Sequence, residues 1–194
     1  MSESLGVEEK TIRVIVRLLR EAGLFTTGAR GVNAPDITPL DAVRVVIAVV
    51  ASPFPSRAVR DVKYFGALKP DLREEGAQFM KPEEIDENET FENTLLAFAE
   101  NRMPFSAMLD GRIRLSESGS AFIFTSKGYQ EYHQRERWSA VMKELTPKSD
   151  EWKKAVHDWE HLDRISNTKV ARSAEFPLEI LHQIGFEIIG WDVD

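Results

Sequence analysis

Apolar residues recur along the first part of the chain at three- and four-residue steps. Ile12, Ile15, Leu19 and Ala22, broadened by Leu18, form one stripe that predicts a helix over residues 8 to 24, with Gly23 as its stop. Residues 25 to 37 have no period and hold Gly28, Gly31, Asn33 and Pro35, a mixture that favours turns and suits a loop or a two-stranded wing. Thr38-Pro39-Leu40-Asp41 then places a capping hydroxyl, a proline at the first helical position and an acid at the third. Residues 42 to 51 are apolar almost all round, so this second helix belongs at the centre of a core. Ser52-Pro53-Phe54-Pro55-Ser56 breaks it, and Ser56 is the expected cap of a third helix from Arg57 to Leu68, with Val59, Val62 and Phe65 inward.

The pattern changes over residues 69 to 89, which are rich in acids and carry Pro70, Gly76 and Pro82, as a linker or solvated excursion does. Beyond it, a helix is expected from Thr90 to about Arg102. Alternating segments at Arg112 to Leu115 and Ala121 to Thr125 flank Glu117-Ser118-Gly119 and predict a β-hairpin. Residues 127 to 145 and 149 to 165 read as two long helices joined at Thr146-Pro147, Leu178 to Ile184 as a short helix ended by Gly185, and Phe186 to Trp191 as a closing strand. The expected fold is mainly α, within the α+β class. A winged-helix-like module spans residues 1–68, an acidic linker 69–89, and a helical part with one β-hairpin 90–194.

Composition removes several function classes. The chain has 194 residues and no cysteine, which excludes disulfides, thiolate metal sites and thiol nucleophiles, and makes a reducing cytoplasm the simplest expected location. The longest apolar run, Val45 to Ala51, is far short of the roughly 20 residues that cross a bilayer, so no membrane partner is expected. The net charge of −7 is unevenly divided. Residues 1 to 70 carry ten Lys and Arg against seven acids, and residues 71 to 194 carry fifteen against twenty-five, so a phosphate-bearing partner would sit at the front.

On the first helix, Lys10, Arg13, Arg17 and Arg20 are spaced three, four and three, which lines their heads along one ridge opposite the apolar stripe. Such a helix either presents an ordinary solvated face or enters a major groove, where arginine pairs with guanine edges and phosphates. The surrounding strings, Leu5-Gly6-Val7 before the helix and Leu18-Leu19-Arg20-Glu21-Ala22-Gly23-Leu24-Phe25 at its end, resemble the recognition helix of winged helix-turn-helix regulators of the MarR-like type. Thr26-Thr27-Gly28-Ala29-Arg30-Gly31 stands where those families carry a basic wing, and the continuation into Ala34-Pro35-Asp36-Ile37-Thr38 is similar to phage- and prophage-associated proteins. A complete helix-turn-helix has one or two helices before the string, where this chain has four residues, so residues upstream or a second subunit would have to supply that packing surface. The resemblance covers residues 5 to about 68. It implies a dimeric, non-enzymatic regulator of double-stranded DNA, with Lys10, Thr11, Arg13, Arg17 and Arg20 on the DNA and Arg30 at the wing tip. Arg57, Arg60 and Lys63 repeat the three-residue step on the third helix, where Arg57 and Arg60 would hold a backbone or else pair with Asp61 or with the acids that follow.

Enzymatic signals are sparse. His157-Asp158-Trp159-Glu160-His161 matches the spacing of an inverted zinc-protease motif, with Glu175, Glu179 and Glu187 as further ligands in principle. The alternative is a pair of solvated histidines on a charged helix, and neither a nucleophile elbow nor a phosphate-cradling glycine loop accompanies the motif. No catalytic residue, metal or cofactor is therefore assigned. Trp152 and Trp159, seven apart, suit a helix pair or a dimer seam, so the acidic part is expected to mediate self-association or effector binding. The rival reading is an adaptor or inhibitor that binds a host protein through that part.

Overall fold

The computed structural model describes residues 5–27, 37–70, 89–103, 110–116, 119–126, 128–134, 148–154 and 173–189. In chain order the elements are α1 (Glu9–Glu21), α2 (Pro39–Ala51), a 3-10 turn (Pro55–Arg57), α3 (Ala58–Gly66), β1 (Lys69–Pro70), α4 (Phe91–Ala99), β2 (Arg112–Ser116), β3 (Ala121–Thr125), β4 (Gly128–His133), β5 (Ser173–Pro177) and α5 (Leu178–Ile189). The strands form one antiparallel sheet in the order β1-β4-β3-β2-β5.

The helix ends follow local chemistry. Gly23 (φ +70°) closes α1 in a Schellman arrangement: its N–H donates to Arg20 O at 3.1 Å and the Leu24 N–H to Leu19 O at 2.8 Å, which satisfies carbonyls left over at the helix end. At the start of α2, Thr38 Oγ1 accepts from the Asp41 N–H at 3.2 Å while the Asp41 carboxylate accepts from the Thr38 N–H at 2.9 Å, a complete capping box with Pro39 in the first turn. Thr90 caps α4 by accepting from the Asn93 N–H at 3.1 Å. Ser56 does not cap α3. It lies within the 3-10 turn, and Arg57 holds the cap position with no side-chain bond.

Helix α2 occupies the centre of the core, with Ala42, Val43, Val45, Val46, Ile47 and Ala48 all buried. It packs against α1, α3, α4 and α5 and against strands β2 and β5. Residues on both sides of the 69–89 stretch share one apolar cluster, from Ile12 and Leu19 through Phe91 and Phe98 to Ile123 and Leu181. The two ends of that stretch meet: the Phe91 N–H donates to Leu68 O at 2.9 Å, and Lys69 and Pro70 pair with His133 and Tyr132. Tyr132 is fully buried, its hydroxyl donating to Thr94 Oγ1 at 2.9 Å, and Thr94 in turn donates to Glu89 Oε1 at 2.7 Å. Burial raises the Tyr132 hydroxyl far above the ordinary tyrosine range. The Thr94 hydrogen bond opposes that shift in part, and the Glu89 charge adds to it.

The expected mainly helical fold with a single hairpin is corrected by the five-stranded sheet. The hairpin of β2 and β3 is present, with Ile113 opposite Ile123 and Leu115 opposite Ala121. Three further strands surround it. Residues 128 to 133, expected as helix, are extended because they pair with β3, from Gly128 opposite Thr125 to Tyr132 opposite Ala121, and alternate: Gln130 and Tyr132 point inward, Tyr129, Glu131 and His133 outward. Ser173–Pro177 pairs with all of β2, from Ser116 opposite Ser173 to Arg112 opposite Pro177. The expected strand from Phe186 is helix as far as Ile189, because Gly185 does not end α5. A Cβ at Gly185 would overlap the carbonyl oxygen of Ala99, so this glycine serves close packing of α5 on α4. Of the segment 149 to 165, residues 150–154 are helical, with the Trp152 N–H donating to Ser149 Oγ at 3.1 Å.

Candidate nucleic-acid interface

Helix α1 is anchored by Ile12, Ile15 and Leu19, which are buried against the core, while Lys10, Arg13, Arg17 and Arg20 are exposed on its outer side. Thr11 is half-buried between the two. The turn into the helix is made by Gly6 at φ +61°, a left-handed conformation that disfavours side chains. The ridge expected from the spacing is therefore present, but not as bare charge. Arg13 donates to Glu9 Oε1 through Nη2 at 2.6 Å and Nε at 3.0 Å, and Arg17 Nε lies 3.8 Å from Glu21 Oε1. The Arg20 guanidinium sits 5.3 Å from the centre of the Phe25 ring. Lys10 has no partner among the described residues.

These pairs are one helical turn apart and wide open to water, with the Arg13 and Glu9 side chains 76% and 65% exposed. Exposed pairs of this kind contribute about 0.3–0.5 kcal/mol, so a phosphate can replace the carboxylate at little cost. The carboxylates also flank the ridge at its two ends, which leaves the cationic side chains between them contiguous.

The basic row on the third helix has a different environment. Asp61 is buried, and its carboxylate accepts from Arg60 at 2.6 and 2.8 Å and from Ser52 Oγ at 2.9 Å, with Arg57 Nε at 3.7 Å. Arg57 and Arg60 thus compensate an internal carboxylate that also fixes the end of α2, the pairing with Asp61 that the sequence left open as an alternative. Lys63 remains exposed on the same helix. Helix α1 packs against both α3 and the Pro55–Arg57 turn.

Two residues outside the expected site organise it. The Asp41 carboxylate caps α2 through Thr38 and, with its other oxygen, accepts from the Thr26 N–H at 2.8 Å. One side chain therefore holds both flanks of the segment at the wing position. Burial pushes the Asp41 carboxyl up, and hydrogen bonds from Thr38 and Thr26 more than reverse this, leaving it below the ordinary carboxylate value. Beside it, Arg44 donates to Leu24 O at 3.2 Å and to both oxygens of Glu92 at 2.9 and 3.1 Å. The Thr-x-x-Asp string signalled the cap. Nothing local to it signalled the reach to Thr26.

Arg30 lies outside the described residues, as do His157-Asp158-Trp159-Glu160-His161 and Trp191. Among the described residues no group of three His, Asp or Glu side chains converges as a metal site would require, and no helix is long and apolar enough to cross a membrane. Glu175, a metal ligand in principle by residue type, lies on β5 beside Arg114 and Arg112, at 2.5 and 3.7 Å. Glu179 and Glu187 lie on α5.

No protein-family model matches the chain, and comparison with curated proteins and with solved structures finds no match.

Proposed function

We propose that this chain is a non-enzymatic regulator of phage or prophage type that binds double-stranded DNA as a homodimer through α1. One observation carries the reading: four cationic side chains stand on the solvent side of a helix whose opposite side is locked into the core, so the ridge is rigid where it is charged. Lys10, Thr11, Arg13, Arg17 and Arg20 are the groove-facing residues in this reading, and Arg30, which lies outside the described residues, is assigned to the wing by the sequence alone. Arg57 and Arg60 take backbone contacts only with the faces of their guanidinium groups that Asp61 leaves open.

The test is a mobility shift of pooled double-stranded fragments by the full chain, with selection of the retained sequences. Retention of a recurring sequence supports the reading, and no shift at low salt overturns it. A second reading is favoured by the acidic balance of residues 71 to 194: an adaptor or inhibitor that binds a host protein through that part. Specific capture of one host protein, together with failure to retain DNA, decides for it.

A further inference from the structure

The sheet has two unlike faces. Ile113, Leu115, Ala121, Ile123, Tyr132 and Phe176 point into the helices and belong to the core. The alternating residues Arg112, Arg114, Phe122, Phe124, Tyr129 and Glu131 point the other way, and the three aromatics among them are outside that core. Phe122 and Phe124 lie side by side on β3 with centroids 6.0 Å apart and planes 17° apart. Tyr129 is 6.2 Å from Phe124, and the Arg114 guanidinium lies 4.9 Å from the Phe124 ring centre. All three aromatic rings are half-buried.

The charges on this face are ordered about β3. Across the sheet in its strand order, β5 brings Glu175, β2 brings Arg112 and Arg114, β3 brings only phenylalanines, β4 brings Glu131, and β1 brings Lys69. The sequence of signs is thus minus, plus, apolar, minus, plus, and it reverses sign on crossing β3. The register places Glu175, Arg114, Phe122 and Glu131 in one row and Pro177, Arg112, Phe124 and Tyr129 in the next.

We infer that this face is the seat of a second copy of the chain, packed sheet on sheet about a two-fold axis running along β3. Rotation about that axis exchanges left and right and keeps each row at its own height. Arg114 then faces the other copy's Glu131, Arg112 faces its Tyr129, and Phe122 and Phe124 meet their own equivalents. Glu175 on β5 comes over β1, where Lys69 is offset from it by two residues of the register. Each contact occurs twice, which is the self-complementarity an isologous interface demands. A nucleic acid strand has no use for the acidic half of this pattern. The inference deepens the proposed function by naming the dimer seam, and it does not depend on DNA binding.

The experiment uses the full chain in sedimentation velocity over the micromolar range, with far-UV circular dichroism as the folding control. Wild type is expected as a dimer. Glu131→Arg sets arginine against arginine twice and is expected to weaken the dimer at least about tenfold, a change of about 1.4 kcal/mol. Arg114→Glu/Glu131→Arg restores the opposite charges and the dimer. Because the chain has no cysteine, a second measurement stands apart from any folding defect. Phe122→Cys on the axis is joined to its copy by a short bismaleimide spanning the roughly 10 Å between packed sheets, whereas Ser173→Cys, two strands from the axis, is not. A wild type that stays monomeric, Glu131→Arg protein that still dimerises, a double variant that is not rescued, or equal cross-linking at both positions overturns the inference. So does a monomer that binds single-stranded oligonucleotide through Phe124. A monomer that retains duplex DNA would sink this seam alone, and a dimer that retains none would sink the DNA reading alone.

Discussion

Arginines of α1 and those of α2, the 3-10 turn and α3 are chemically the same and stand in different situations. Arg13 and Arg17 pair with carboxylates of their own helix, in water, one turn away. Arg44, Arg57 and Arg60 pair with carboxylates that the fold has withdrawn from water: Arg44 and Glu92 are each only 20% exposed, and the Asp61 side chain 4%. Desolvation makes the difference. An internal carboxylate without its arginine is a stranded charge, whereas a surface glutamate without its arginine is hydrated at once. The first group is available for an outside partner; in the second, Arg44 is committed to the fold, and Arg57 and Arg60 keep only the guanidinium faces that Asp61 leaves open.

The largest effect expected from this contrast is at Arg44. Arg44→Ala leaves the part-buried Glu92 carboxylate and the Leu24 carbonyl without their donor and should cost about 3 kcal/mol, read as a lower midpoint in urea at unchanged slope. A cost near zero would mean that this pair is as dispensable as those on α1, and the contrast would collapse.

Asp41 comes next. Its folded-state carboxyl titrates below its unfolded value, so the stability it contributes is full above the unfolded value near pH 4 and is lost as pH falls through the lower folded one. Asp41→Asn should cost about 1–2 kcal/mol at neutral pH, the range for loss of a cap. Its stability should also fall less steeply than that of wild type in acid. Parallel acid profiles for the two proteins would refute the assignment of the clamp to the ionised carboxylate.

Smallest are Arg13→Ala and Arg17→Ala, each expected to change stability by less than about 0.5 kcal/mol. A destabilisation of about 2 kcal/mol or more at either would show that the ridge is structural after all, and would merge the two groups.

Much of this arrangement was legible in the sequence because it is written in contiguous residues. The stop of α1 lies in Gly23, the start of α2 in Thr38-Pro39-Leu40-Asp41, and the β2–β3 hairpin in two alternating segments about a glycine turn. What was not legible depends on partners far along the chain. Ser173–Pro177 is a strand because β2 offers it a free edge some sixty residues earlier. Residues 128 to 133 carry helix-compatible side chains and become a strand by pairing with β3. Gly185 has the look of a terminator and acts as a packing point, since only the proximity of Ala99 gives a missing Cβ its meaning. The candidate site divides in the same way. The α1 ridge is a matter of spacing, whereas the grip of Asp41 on Thr26 and the burial of Asp61 exist only once α2 and α3 are packed.

The central claim is that α1 presents its arginines outward for phosphate while Arg44, paired with Glu92, is spoken for. Its most direct test is the salt dependence of duplex binding, measured by anisotropy, for wild type, Arg13→Glu/Arg17→Glu and Arg44→Lys. The predicted result is that the α1 double reversal weakens binding and flattens the plot of log affinity against log salt by about 0.9 for each phosphate it no longer neutralises, while Arg44→Lys leaves the slope unchanged. An α1 variant that binds duplex DNA with the wild-type slope would contradict it.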